Sequence, residues 1–324
     1  MAPPPRPPRA QRSVSPGARS ARPFRSIKTN QISEDRQVAI TAAMVKELRE
    51  RTGLGMMDCK KALVASEGNL ELAIEQLRKD GALKAAKKAG RTTAEGLLGL
   101  RVADDGSSAV LVEVNIETDF AARNERFIAW VQRVADQAFE AGTDDVAALL
   151  EAGLEGEREA LVQEIGENIT VRRIARVTGA RVAAYIHADN RKGALVGLSA
   201  GDEALGKDLA MHVVALNPKV ATPEALDAED LAKEREIYEA QAAESGKPAD
   251  IVAKMVEGRL NKYKAEVSMT EQPFVKDGNL KVKDLLKEAG ASLEAMVRFE
   301  VGEGIEKEEA DFAAEVAAQV RGEG

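Results

Sequence analysis

Residues 97–123 read LLGLRVADDGSSAVLVEVNIETDFAAR, and the order of residue types in this stretch decides the fold class. Leu97 to Val102 and Ala109 to Val114 are apolar runs around the turn Asp104-Asp105-Gly106, the pattern of a β-hairpin. Helical spacing then runs from about Asp119 to Phe139, so a helix follows the hairpin directly. The arrangement returns further along. Arg181 to His187 and Ala194 to Leu198 flank a turn at Asp189 to Gly193, and a helix from about Glu203 to Leu216 closes the unit. The repeat is too short and degenerate for a solenoid, so two related α+β subdomains with small antiparallel sheets are expected side by side.

Working outward, residues 40 to about 82 read as three short helices. Thr41 caps the first, which carries Val45 and Leu48 and ends at Gly53. The second runs from about Met57 to Ser66 and stops at Gly68. Asn69 caps the third, whose stripe is Leu70, Ala73, Ile74 and Leu77, with Gly81 as its stop. The basic stretch Lys84, Lys87, Lys88 and Arg91 then reads as a tether. Between Pro223 and Val267 the pattern is a helical hairpin turning at Ser245-Gly246-Lys247-Pro248. Two helices alone bury too little to stand, so they pack on the body or on another subunit. A strand is expected near Glu294 to Val301. A last amphipathic helix carries Ile305, Phe312, Ala313, Val316, Ala317 and Val320 on one side, a stripe that needs a groove.

Composition bounds what such a chain does. At 324 residues it is long enough for two or three domains, with a soluble balance of 44% hydrophobic and 31% charged residues. No apolar run approaches the length of a membrane span. A net charge of -8 argues against direct nucleic-acid binding, which draws on clustered Lys and Arg. The single cysteine, Cys59, excludes an internal disulfide and reads as a small buried residue. Two histidines, His187 and His212, and the expected absence of a Walker-type phosphate loop, HExxH, CxxC pair or GxSxG elbow point to a binding protein without cofactor or metal. The first 33 residues hold seven of the eleven prolines and six arginines, and the first acid is Glu34. Residues 1–37 are therefore expected to be a disordered leader. Two origins stand: translation from a start codon placed too far upstream, and an organelle transit peptide.

Six segments carry a resemblance. They are LRERTGLGMMDCKKAL (Leu48 to Leu63), EVNIETDFAAR (Glu113 to Arg123), IGENI (Ile165 to Ile169), AMHVVA (Ala210 to Ala215), MVEGR (Met255 to Arg259) and FEVGEGIEK (Phe299 to Lys307). From residues alone, Thr118 or Asp119 caps a helix after a strand and Phe120 reads as core, and this structural reading is the favoured one. In this order and spacing, however, the six segments resemble the elongation factor Ts family from Ala39 to the C-terminus. Ile116 and Ala121 depart from that pattern, where the family more often has a smaller residue and a Val.

The resemblance implies a ubiquitin-associated-like helical module at 38–91, a core N-subdomain at 92–177, and a core C-subdomain at 178–299. A hairpin is inserted at 223–267, and a C-terminal helical module occupies 300–324. It implies a guanine-nucleotide exchange factor, with no covalent chemistry of its own, acting on GDP-bound and nucleotide-free elongation factor Tu in the bacterial cytoplasm. A genuine transit peptide would make the location mitochondrial. Thr118, Asp119 and Phe120 then form the tip that enters the partner's Mg²⁺ and phosphate site. Lys60, Gly166, His187, Phe312 and Val316 are further partner contacts, and the hairpin is a route to a homodimer. A solvated Lys60 and a structural His187 are the competing readings, and His212 reads as packing. The rival for the whole chain is an adaptor with the same module and hairpin but no effect on nucleotides.

Overall fold

The structure, a computed structural model, describes residues 39–244 and 247–306. The expected leader, Ser245 and Gly246 of the expected hairpin turn, and Phe312 and Val316 of the expected last helix lie outside the described residues.

Helices α1 (Ala42–Thr52), α2 (Met56–Ala65) and α3 (Leu70–Lys88) form the first module. Its caps follow from the residue types. The Thr41 hydroxyl accepts from the Met44 amide, Gly53 ends α1 at φ 73°, and the Asn69 side chain accepts from the amides of Glu71 and Leu72. Leu48, Cys59, Leu63 and Ala73 have no exposed surface and form the centre of its core. One expectation fails here: α3 does not stop at Gly81 but continues to Lys88. Gly81 is a contact rather than a stop, because a Cβ there would lie 2.9 Å from the Gln163 side chain. The tether is correspondingly short.

The core holds two three-stranded antiparallel sheets, of order β1-β2-β3 and β4-β5-β8. The first joins β1 (Glu95–Val102), β2 (Ser108–Ile116) and β3 (Ile169–Thr178). The second joins β4 (Arg181–Ile186), β5 (Lys192–Leu198) and β8 (Leu293–Glu300). Helix α5 (Glu125–Ala141) covers the outer face of the first, packing Phe127, Trp130, Val131 and Val134 on Val110, Val112 and Val114. Helix α8 (Glu203–Leu216) covers the second with Leu209, Ala210 and Val213. Each pairing needs one glycine for close approach. A Cβ at Gly99 of β1 would lie 2.7 Å from the Val131 carbonyl oxygen, and one at Gly206 of α8 2.5 Å from the Ala183 Cβ. The inner faces meet in one cluster, with Leu98, Ala109, Leu111 and Val177 against Val182, Leu195, Phe299 and Val301.

Strand β3 was not anticipated, and the expected helix from Asp119 to Phe139 is two, α4 (Asp119–Ala122) and α5, because Asn124 caps a new start. Short α6 (Val146–Leu149) and α7 (Glu155–Ile165) lead into β3. Helices α9 (Ala228–Ala243) and α10 (Ala249–Val267) form the inserted hairpin around Ala242, Val256 and Leu260. Ile237 and Ile251 of that hairpin stay exposed. Strands β6 (Pro273–Phe274) and β7 (Asp277–Lys281) and helix α11 (Val282–Glu288) complete the second half.

Glu113 is buried with no exposed surface on the inner face of β2. The β2–β3 register slips between Glu113 and Val114, leaving Arg172 as an extra residue on β3. Neighbouring strand residues normally point to opposite faces, but a bulge re-aims one of them. Both Arg172 (3.0 Å) and Arg173 (2.5 Å) therefore reach the Glu113 carboxylate, which also accepts from the Gly302 amide at 2.8 Å. Removing the acid leaves two cations facing each other. Glu113→Ala is expected to cost about 3 kcal/mol in urea unfolding, the low end for a broken buried pair because both arginines retain some solvent.

His212 is buried on α8, with Nε2 2.9 Å from Gln272 Oε1 and Nδ1 accepting from the Val275 amide at 3.2 Å. An accepting Nδ1 means a neutral ring that donates from Nε2. Burial pushes its pKa below the ordinary value, so the unfolded chain takes up the proton first as pH falls. Its contribution to stability is complete above about pH 7 and declines as pH falls through about 6.5 towards the folded value. Urea midpoints at descending pH should show this loss, and His212→Gln should flatten it.

Candidate functional site

Strand β2 is buried from Ala109 to Ile116, which makes its far end a rigid base. The ladder with β3 closes at the pair Ile116–Ile169, and the chain then leaves the sheet. Thr118 has extended backbone, and its hydroxyl accepts from the Ala121 amide at 3.2 Å, capping the single turn of α4. Ala121 and Ala122 face inward, whereas Phe120 is 80% exposed, the most exposed large apolar side chain among the described residues. The core reading of Phe120 is thereby excluded. Asp119 lies 2.7 Å from Arg123, whose guanidinium sits 5.9 Å from the centre of the Phe120 ring. An exposed pair of this kind is worth about 0–1 kcal/mol, so Asp119 can exchange Arg123 for another cation at little cost.

The turn is held from below by the loop between α7 and β3. Glu117 accepts from the Asn168 amide at 2.6 Å, and Glu167 accepts from the Thr118 amide at 2.9 Å and its hydroxyl at 2.7 Å. The buried Asn168 side chain donates to the carbonyls of Ala89 and Arg91 in the tether, and Lys88 donates to the Gly166 carbonyl. The first module is braced separately. Arg126, at the start of α5, pairs with Glu164 at 2.6 Å, and its guanidinium fills the space where a Cβ of Gly53 would stand. Tip, tether and module are thus joined through named contacts.

A family model described as Elongation factor TS matches residues 117–303, which begins at this turn and spans more than half of the chain. Elongation factor Ts of Hahella chejuensis is 60% identical over 284 residues, 88% of this chain and 99% of that protein. That of Marinobacter nauticus is 60% identical over 280 residues, 86% of this chain and 97% of that protein. That of Saccharophagus degradans is 55% identical over 285 residues, covering 87% and 98% respectively. The chain belongs to the elongation factor Ts family.

Of the residues singled out in the sequence of this elongation factor Ts family member, Thr118, Asp119, Phe120 and Gly166 come together. Gly166 ends α7 beside the loop that holds Thr118. Lys60 is exposed on α2, and His187 is exposed after β4 with Nδ1 3.2 Å from the Tyr185 hydroxyl. Glu117, Glu167 and Asn168 escaped notice individually, although each stands in a segment carrying the resemblance. An acid or amide next to a strand end was the available signal.

A GxSxG spelling, contrary to the expectation that the chain has none, is present as Gly197-Leu198-Ser199-Ala200-Gly201, from the end of β5 into the loop before α8. Its serine oxygen meets the amide and hydroxyl of Ser292, both at 2.9 Å, rather than a base, and His212 is engaged elsewhere. No nucleophile follows from that spelling. Gly201 to Lys207 approaches a phosphate loop in spelling, but Asp208 replaces the Ser or Thr and the chain is already helical from Glu203. Among the described residues no group of three or more His, Cys, Asp and Glu is placed to hold a metal, and no helix is long and apolar enough to cross a membrane.

Gly166 has φ 88° with nothing near the position of a Cβ, so its backbone alone demands glycine. Gly166→Ala is expected to lower stability by about 1–2 kcal/mol in urea unfolding, with Gly166→Asn losing less.

Proposed function

We propose that this chain is a guanine-nucleotide exchange factor for elongation factor Tu, acting in the bacterial cytoplasm. The tip Thr118-Asp119-Phe120 enters the partner's nucleotide site and loosens its hold on Mg²⁺ and phosphate, so that GDP leaves. The observation that carries this reading is Phe120, 80% exposed on a one-turn helix whose base is hydrogen-bonded, in a member of the elongation factor Ts family. An apolar ring held in water adds nothing to folding. It gains only where it finds an apolar slot in another molecule.

A GTPase holds its nucleotide through backbone amides, a Lys and a Mg²⁺ that bridges the phosphates. Phe120 acts as a wedge beside that metal, and Asp119 pairs with partner cations to fix its approach. Speeding release ~10⁴-fold needs about 5.5 kcal/mol of preference for the nucleotide-free partner. One aromatic supplies about 1.5–3 kcal/mol on full burial. The remainder comes from a grip elsewhere. Met56 and Met57, 62% and 64% exposed at the start of α2, support a role for the first module beside Lys60. Gly166, His187, Phe312 and Val316 complete the proposed contacts, and the exposed Ile237 and Ile251 fit a hairpin that meets a second copy. No covalent step is required of the chain itself.

Release of labelled GDP from elongation factor Tu tests the reading. The intact chain is expected to accelerate release, and Phe120→Ala to lose about ten- to a hundred-fold of that effect. No acceleration by the intact chain would leave the adaptor reading in its place. Equal acceleration by the variant would remove Phe120 from the role assigned to it.

A further inference from the structure

We infer that Glu167, supported by Asn168, is a positioning residue that sets the direction in which Phe120 is presented; this rests on the action proposed for Phe120. The argument begins where the β2–β3 ladder stops, at Ile116 and Ile169. Beyond that pair the amides of Thr118 and Asn168 lose their strand partners, and an amide left without an acceptor is costly. Each is taken by a carboxylate from the opposite segment: Asn168 by Glu117 at 2.6 Å, Thr118 by Glu167 at 2.9 Å. The exchange is reciprocal, so neither side turns without breaking the other's bond.

Glu167 does more than satisfy an amide. Its second oxygen accepts the Thr118 hydroxyl proton at 2.7 Å, while that same hydroxyl accepts from Ala121 at 3.2 Å. A hydroxyl that both donates and accepts has its rotation settled, and here it is the cap from which α4 starts. Helix α4 has four residues, too few to hold its own direction. Inward packing of Ala121 and Ala122 seats the turn on the core, and the cap, whose rotation Glu167 settles, fixes how its first residues and the Phe120 ring leave that seat. Asn168 anchors the clasp in turn, being 2% exposed and donating to Ala89 and Arg91 at 3.3 and 3.0 Å. Phe120 itself is 80% exposed, and among the described residues Arg123 is the cation at its ring, so the ring has little packing of its own to guide it.

The test is a double-variant cycle on the full chain, read as GDP release from elongation factor Tu over a range of factor concentrations. Glu167→Ala is expected to lower the maximal rate about tenfold, because a tip free to turn must be ordered during insertion. The concentration giving half-maximal rate should change little. In a Phe120→Ala background Glu167→Ala should change nothing further, and Glu167→Gln, which keeps one acceptor oxygen, should restore part of the rate. Amide exchange gives a second readout: Thr118 should lose protection in Glu167→Ala while Ile116 keeps it. If Phe120→Ala slows release but Glu167→Ala does not, or slows it equally in both backgrounds, the positioning role is overturned and the exchange function stands. If Phe120→Ala is as fast as the intact chain, the action assigned to Phe120 fails, and the positioning role with it. Unchanged protection at Thr118 also overturns it.

Discussion

Both three-stranded sheets of this protein are apolar on their two faces, so each depends on burying both of them. The outer faces are covered by α5 and α8, and the inner faces cover each other through Leu98, Leu111, Leu195 and Phe299. Strand β2 lies at the centre of that arrangement, between β1 and β3 and beneath both layers of packing. Fully burying a Val or Leu stabilises by about 1.5–3 kcal/mol, and β2 carries Val110, Val112 and Val114 on one side and Leu111 on the other. Its path is consequently among the most constrained in the molecule, and the turn with Phe120 is attached to its end.

Charge is used sparingly within this packing and in a consistent manner. At Glu113 a buried carboxylate collects two arginines and an amide, with a bulge turning the second arginine towards it. At Glu117 and Glu167 two more carboxylates each take an amide from across the strand ends. In both places an acid occupies a point where the β-ladder is interrupted and backbone donors need acceptors. Apolar side chains could fill the volume there, but they could not satisfy those donors. The first group secures the chain leaving β8, through Gly302, and the second secures the chain leaving β2.

The consequence for function is a division between a small tip and a broad frame. The tip exposes one ring and one weakly engaged carboxylate, too little to hold a partner alone. The frame ties the tip to the first module twice, through the Asn168 contacts with the tether and through Arg126 against Gly53. Under the proposed exchange function, binding energy gathered by exposed side chains such as Met56 and Met57 would act on a tip tied to the same frame.

Much of this was legible in the residues. Alternation around Asp104-Asp105-Gly106, the caps Thr41 and Asn69, and the helix from Glu203 to Leu216 are local signals, and the structure repeats them. What failed did so for non-local reasons. In β3 the bulge at Arg172 breaks the alternation by which strands are recognised, and its counterpart, Glu113, lies on another strand. Gly81 resembles a helix stop until α7 is placed beside it, and Asn124 resembles one more polar position in a continuous helix until its amide partners are seen. Around the tip, the sequence determined that a strand ends, a helix begins and a phenylalanine stands between two small or charged neighbours. Only the tertiary structure decided that the ring faces water and that Glu167 holds its base. Orientation relative to a body depends on contacts between residues about fifty positions apart, and no periodicity within either segment encodes them.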